Sequence, residues 1–404
     1  MNIVFLINSL EAGGAERVVL GFASQLSKAH RVTLVTLKNS VFYQVPEAVK
    51  HVSLSQSTRL WRGVWSLLSL PWYCHKFKHV LRQETPDVVV SFLELSNFVN
   101  ILSSKNLRVL KKVSTVISVR AHSSSVYSSG VGSWLVKKLM RMFYPRADVV
   151  IANAELSRQD LIKNFGTASS KTKVVYNPFA IDQIRNLMRE PLTEEHARFF
   201  KSGTIILHVG IFESRKVQEH LVHAFLILKK NIPDAKLVFV GTGSRMRLIE
   251  SVVEQFGVRE SVLFAGQQEN VFQYMARANV FVLSSWLEGF PNALVEAMTC
   301  GTPVIATDCA SGPREILAPK TPRDRVTKAV EFCEFGILVS PASTDPLVEV
   351  VSQQALARAI IDVLKKQSLS QKYATAGFER AKFFAQEKIT KQFAKILQEA
   401  VHAA

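Results

Sequence analysis

A chain of 404 residues, 48% hydrophobic and 21% charged, with only 18 Gly and 14 Pro, has the make-up of a globular core and the length of two domains. That excludes a disordered chain, a collagen-like repeat and a small disulfide scaffold. The formal charge of +17 sits almost wholly in the first half: residues 1–180 hold 23 Lys and Arg against 9 Asp and Glu, the remainder 27 against 24.

The first forty residues read as a β-α-β unit: a strand Asn2 to Asn8, a turn at Gly13-Gly14, a helix with Val18, Val19, Phe22, Ala23 and Leu26 on one face, and a strand Arg31 to Leu37. The stretch Arg59 to Tyr73 then sets Trp61, Trp65 and Trp72 beside Arg59 and Arg62, with Lys76, Lys78 and Arg82 following. Apolar bodies with nearby cations suit an interface with anionic head groups, and equally a buried helix pair. No apolar run approaches the roughly 20 residues of a membrane span. Further strands are expected at 87–92, 114–119, 148–153 and 173–176, alternating with helices, which predicts a parallel, doubly wound sheet.

From Leu95 to Ala147 there is no acid, and nine basic residues: Lys105, Arg108, Lys111, Lys112, Arg120, Lys137, Lys138, Arg141 and Arg146. Such a field attracts an anionic partner, or is a solvated face. Nucleic acid is not expected as that partner, because no binding signature is present and aromatics do not interleave with the basic run. The four cysteines Cys74, Cys300, Cys309 and Cys333 form no C-x-x-C pair, so free thiols and no structural metal are expected.

A charged segment at 182–201 reads as a connection, after which the alternation restarts with strands at 204–209, 236–240, 261–264, 280–283 and 303–306. A last amphipathic helix carries Ile389, Phe393, Ile396 and Leu397. The expected division is an N-terminal Rossmann-like domain at 1–180, a connection at 181–202, a C-terminal Rossmann-like domain at 203–380 and a closing helix at 381–404. The fold class is therefore α/β.

The stretch from Ser284 to Met298 carries the most specific chemistry. Glu288 follows an apolar strand, Pro291 and Asn292 suit a helix start, and Glu296 falls more than a turn inside that helix. Two carboxylates can thus face one ligand, while the unpaired N–H groups of the first helical turn suit a phosphate. Glycines after strands recur at Gly13-Gly14, Gly210 and Gly241, where the backbone can approach a ligand closely.

This E-x7-E pattern, with Gly-Phe-Pro-Asn inside it and Gly301-Thr302-Pro303 after it, resembles the retaining family 4 glycosyltransferases with the GT-B fold, over essentially the whole chain. The resemblance implies two doubly wound domains facing a cleft, with the last helix crossing back to the N-terminal domain. It implies that Glu288 binds hydroxyls of the transferred sugar and Glu296 the ribose, while backbone N–H groups from Phe290 through Asn292 to Leu294 hold the diphosphate. Lys216 matches the family lysine that neutralises the leaving phosphate. The family arginine is replaced by Ile211, and Arg215 is the natural substitute. Gly13 and Gly14 approach the donor phosphates, with Gly210 and Gly241 in neighbouring loops. His122 is expected to line the acceptor cleft, with Arg120 in the place usual for the family histidine. Gly312-Pro313-Arg314-Glu315 fits a packing role.

Glu288, Lys216 and His122 are thus the expected catalytic set. The implied reaction moves a hexose or N-acetylhexosamine, from a UDP-sugar by preference, onto a lipid-linked or membrane-anchored glycan with retention of configuration. No Asp-x-Asp motif occurs, so neither metal nor cofactor is expected. The implied setting is cytoplasmic, peripheral on the inner face of the membrane and held to its anionic surface. A soluble GT-B enzyme acting on a sugar phosphate, a nucleotide-sugar epimerase, and a non-catalytic nucleotide-sugar or nucleic-acid binder are the competing readings.

Overall fold

In the strand Asn2–Ile7, Ile3, Phe5 and Ile7 are buried toward one face and Val4 and Leu6 toward the other. A strand covered by helices on both sides requires this pattern. The computed structural model describes residues 1–11, 13–56, 63–104 and 113–403, with backbone alone at 63–65. Arg59, Leu60, Trp61, Arg62, Lys105, Arg108, Lys111, Lys112 and the Trp65 side chain lie outside the described residues. Two compact units result, Met1–Phe179 with Phe384–Ala404, and Ala180–Phe383.

The N-terminal unit holds β1 (Asn2–Ile7), β2 (Arg31–Thr36), β3 (Lys50–Ser53), β4 (Val88–Phe92), β5 (Ser114–Val119), β6 (Val149–Ala152) and β7 (Thr172–Val174). They form one sheet in the order β3-β2-β1-β4-β5-β6-β7, every ladder parallel. On one face lie the helices Gly14–Leu26 and Gln386–His402, where Phe393 stacks on Phe22 at 4.2 Å between ring centroids and on Phe5 at 6.3 Å. The last helix therefore does return to the first sheet, and Ser114 Oγ donates to the Ala400 carbonyl at 2.8 Å. On the other face, Phe77 and Leu81 of the helix Leu70–Glu84 pack with Val4 and Leu6.

Residues 181–202, read above as a connection, form the helices Ile181–Leu187 and Glu194–Lys201 of the C-terminal unit. That unit holds β8 (Thr204–Val209), β9 (Ala235–Val240), β10 (Val262–Phe264), β11 (Val280–Leu283), β12 (Val304–Thr307), β13 (Val330–Phe332) and β14 (Ile337–Val339). The sheet order is β10-β9-β8-β11-β12-β14-β13, with only the β13–β14 edge antiparallel. Strands step outward one way from β1 or β8, and the other way from β4 or β11. Their carboxyl ends part at that reversal, the crevice where doubly wound sheets bind ligands.

Candidate active site

The crevice of the C-terminal unit is bounded by the loop after β8 and the loop after β11. The first carries Lys216 and the second Glu288, and their side chains meet with Nζ to Oε1 at 2.5 Å, both largely buried. Ser285 Oγ donates to the same carboxylate oxygen at 2.6 Å, and Ser284 Oγ donates to the Lys216 carbonyl at 2.9 Å. Burial pushes the Glu288 carboxyl up, but the Lys216 ammonium, joined by the Ser285 hydroxyl and Arg215, offsets this and holds it below the usual carboxylate range. Glu288 is therefore an anion poised beside a cation, each able to turn to a ligand group of opposite character.

Backbone geometry holds this pair in place. Val217, directly after Lys216, sits at φ +46°, a left-handed conformation that costs a β-branched residue on the order of 1–3 kcal/mol. It is retained because both sides are tied: Gln218 Nε2 donates to the Ile211 carbonyl at 3.0 Å, and Trp286 N–H donates to the Arg215 carbonyl at 3.0 Å. Gly241 is at φ +136°, and a Cβ there would lie 2.1 Å from the Gly210 carbonyl oxygen, so the two glycine loops abut. At Gly312, φ +92°, a Cβ would come within 2.5 Å of Pro291 Cδ, so this glycine lets one loop close over the start of the helix Asn292–Thr299.

Pro291 caps that helix, and Glu296 lies buried inside it as the spacing predicts. Of the N–H groups expected to meet the diphosphate, that of Leu294 donates to the Pro291 carbonyl at 3.2 Å. Phe290 and Leu294 bury their side chains and pin the turn. Arg215 is half-exposed and bonds Glu213 at 2.5 Å, while Ile211 stands exposed. Arg314 is buried, paired with Asp308 and, at 2.9 Å, with Glu331, a structural network.

Sequence reasoning missed His208, fully buried on β8. Its Nδ1 donates to the Val282 carbonyl at 3.0 Å, and its Nε2 has no hydrogen-bond partner among the described residues. Burial first, then Lys216, pushes its pKa down to about 4, so the ring is neutral beside the Lys216–Glu288 pair. Nothing in a buried strand histidine distinguishes it in sequence.

In the N-terminal unit, the predicted residues are dispersed. Arg120 lies over the Phe92 ring at 5.8 Å, bonds Asn177 Oδ1 and donates to Ser118 Oγ at 3.2 Å. Burial lowers its pKa, to about 9. His122 is part-exposed, with Nδ1 at 2.8 Å from Ser125 Oγ. Gly13 caps the helix that Gly14 begins, and the Glu16 carboxylate folds back over it: a Cβ on Gly13 would lie 2.2 Å from Glu16 Oε2. Burial, countered by its own backbone N–H, pushes Glu16 up to about 7. The glycine loop thus already carries a carboxyl group at its helix end, as a capping-box glutamate does.

Twin doubly wound sheets, one with an ammonium–carboxylate pair and a helix N-terminus at its switch point, define the GT-B class of enzyme. Residues 190–331 match the model "Glycosyl transferases group 1", and residues 12–183 match "Glycosyltransferase Family 4". Among solved structures, sucrose-phosphate synthase of Thermosynechococcus elongatus superposes over 100% of both chains with a TM-score of 0.79 at 22% identity. The Anabaena protein HepE in complex with UDP-glucose superposes over 98% of this chain and 99% of its own, TM-score 0.74, at 21% identity. In sequence, the N-acetylgalactosamine-N,N'-diacetylbacillosaminyl-diphospho-undecaprenol 4-alpha-N-acetylgalactosaminyltransferase of Campylobacter jejuni is 28% identical over 97% of this chain and 98% of its own. The lipopolysaccharide 1,6-galactosyltransferase of Escherichia coli is 28% identical over 61% and 63%. The chain belongs to the group 1, family 4 glycosyltransferases and is a glycosyltransferase. Among the described residues no helix is long and apolar enough to cross a membrane.

Proposed function

We propose that the protein transfers a hexose or N-acetylhexosamine from a UDP-sugar to a membrane-anchored glycan, with retention of configuration and without a metal ion. The observation that carries this reading is the Lys216–Glu288 pair beside the N-terminus of the helix Asn292–Thr299. A nucleotide-sugar offers each group a better partner. The diphosphate takes the Lys216 ammonium and the helix N–H groups, and the sugar hydroxyls take the Glu288 carboxylate. Glu296 would receive the ribose hydroxyls, with the Gly210 and Gly241 loops near the nucleotide. As the anomeric C–O bond to phosphate breaks, the acceptor oxygen bonds on the same face and its proton passes to the departing phosphate oxygen. Lys216 stabilises the charge that builds there, with Arg215 as the second cation in place of the missing family arginine.

The lipid-linked and lipopolysaccharide substrates in the names of the relatives support a membrane-anchored acceptor. A second support comes from the helix Val131–Phe143, which buries Met140 alone and exposes Val131, Trp134 and Met142 beside Lys137, Lys138 and Arg141. Lys138 Nζ lies 5.2 Å from the Trp134 ring. Aromatic and aliphatic groups among cations suit an anionic leaflet. Of the tryptophan segment singled out above, Trp72 is half-exposed and could join this surface.

A panel of UDP-, GDP- and ADP-sugars, read by thermal stabilisation and donor hydrolysis, tests the donor. Stabilisation by a UDP-sugar is expected. Stabilisation by another nucleotide's sugars alone would overturn it. Activity should survive EDTA, and loss restored only by Mg²⁺ or Mn²⁺ would refute the metal-free mechanism.

A further inference from the structure

The switch point of the first sheet holds a cavity of about 380 Å³ within the N-terminal unit, inside the range of roughly 300–1,000 Å³ usual for small-molecule sites. Asn8, directly after β1, and Glu94, just after β4, stand on its two sides, and Phe98, Tyr127, Ser133 and Val136 complete the part that matters here. Leu93 takes φ +71°, a turn that delivers Glu94 from the strand end into the wall. Ser96 Oγ bonds Asn8 Oδ1 at 2.7 Å, fixing the amide across the crevice. The Tyr127 hydroxyl hydrogen-bonds the Glu94 carboxylate, and burial together with that carboxylate holds the phenol well above its ordinary pKa.

The chemistry of this wall is selective. An apolar floor of Phe98 and Val136 suits the C–H face of a sugar ring, and convergent carboxylate, amide and hydroxyl groups suit its hydroxyls. A phosphate or pyrophosphate would face the Glu94 carboxylate. An acyl chain would leave Glu94 and Asn8 dry without new partners. The surrounding half of the chain is strongly basic, yet among the described lining residues the one that carries a charge is an acid, Glu94.

Resting on the proposed reading, we infer that this cavity receives the neutral, hydroxylated terminal ring of the acceptor glycan, with Glu94 accepting its hydroxyl hydrogen bonds and turning away anionic rings. Donor and acceptor would then each be recognised by a carboxylate at a switch point, Glu288 in one sheet and Glu94 in the other.

The test is saturation-transfer NMR on the full chain. The probes are the methyl glycosides of glucose, galactose, N-acetylglucosamine and N-acetylgalactosamine, with glucose 6-phosphate as the anionic probe. At least one neutral glycoside should bind, and glucose 6-phosphate more weakly. Glu94→Ala should weaken that glycoside by about tenfold or more, the loss of a charge-assisted hydrogen bond. Val136→Trp, which fills the cavity while keeping the Glu94 carboxylate in the chain, should abolish binding. Glu94→Gln should restore part of the neutral binding and narrow the gap to glucose 6-phosphate. UDP affinity, measured in the same samples, should stay within about twofold in all three variants, and hydrogen exchange of β1 and β4 at the rates of the unaltered chain shows that the N-terminal unit of each is folded. Absence of any glycoside signal in the unaltered chain, or a signal that survives both Glu94→Ala and Val136→Trp, overturns the assignment. Failure of UDP to bind the unaltered chain would instead strike the donor reading, leaving the glycoside result to decide the cavity.

Discussion

In the C-terminal unit the crevice beside β8 and β11 is closed on itself, with Lys216 on Glu288 at 2.5 Å, while beneath it Arg314 is locked between Asp308 and Glu331. The matching crevice beside β1 and β4 of the N-terminal unit keeps a cavity of about 380 Å³, with no ammonium–carboxylate pair among its described lining residues. The same strand order thus supports two kinds of site. Where the ligand carries charge, the protein prepares opposite charges and lets them neutralise each other until it arrives. Where the ligand is neutral, it prepares space and hydrogen-bond acceptors. Burial acts alike on one titrating group in each unit, favouring the neutral form by pushing Glu16 up to about 7 and His208 down to about 4.

The strongest way to break this contrast is Arg314→Ala, which leaves Asp308 buried without its cation. A loss of about 3–5 kcal/mol is expected, seen by hydrogen exchange as faster opening of the C-terminal unit with the N-terminal sheet unchanged. Equal loosening of both sheets would mean that the network is not confined to one of them. Next, Lys216→Ala should lower turnover by on the order of 10²–10³, because its interaction strengthens as phosphate departs. Near-normal initial rates at saturating donor would transfer that role to Arg215 or the helix terminus. Glu296→Ala should weaken nucleoside diphosphate binding by about 1.5–3 kcal/mol, and calorimetry showing unchanged affinity would remove it from the ribose.

Acid should separate the two units. Glu16 has a folded pKa above its ordinary 4.5, so its contribution is full below about 4.5 and is lost as pH rises toward 7. His208 has a folded pKa below its ordinary 6.5, so its contribution is full above about 6.5 and is lost as pH falls toward 4. Between these limits the slopes oppose each other, each up to roughly 1 kcal/mol per pH unit. Hydrogen exchange at pH 5 and pH 6.5 should show the first sheet relatively better protected at the lower value. Glu16→Gln should flatten its half of that difference. The smallest effect concerns the exposed helix: Lys137→Glu with Lys138→Glu should cost about 1 kcal/mol per cation in binding to anionic liposomes at low salt. Sedimentation that stays equal on anionic and neutral vesicles would remove electrostatics from docking.

Much of the fold was legible in the sequence. Thr204–Val209 and Val280–Leu283 are compact apolar runs between helical patterns, and both are strands. Lys50–Ser53 escaped because an edge strand with one strongly apolar side chain carries no periodic signal, and the three-residue strands β13 and β14 are too short to show one. The Glu288 and Lys216 motifs stood out singly, but their pairing did not. They are 72 positions apart and meet only because β8 and β11 are neighbours in the sheet. Glu94 belonged to no motif, and His208 stood in the strand before the Gly210 loop with no role of its own. A carboxylate after a strand and a histidine within one become notable only when a cavity or an unpartnered nitrogen surrounds them.

The return of the helix Gln386–His402 to the first sheet bears on how the chain is made. On the ribosome, Phe5 and Phe22 emerge early, but Phe393, which stacks on both, follows only after the whole of Ala180–Phe383 has been synthesised. At roughly 5–20 residues per second that is a wait of about 10–40 s. The second unit, drawn from one continuous stretch, can close during this interval, so the half of the enzyme translated first is the half completed last. Until then the nascent chain presents an uncovered aromatic strip, the natural handhold for a chaperone.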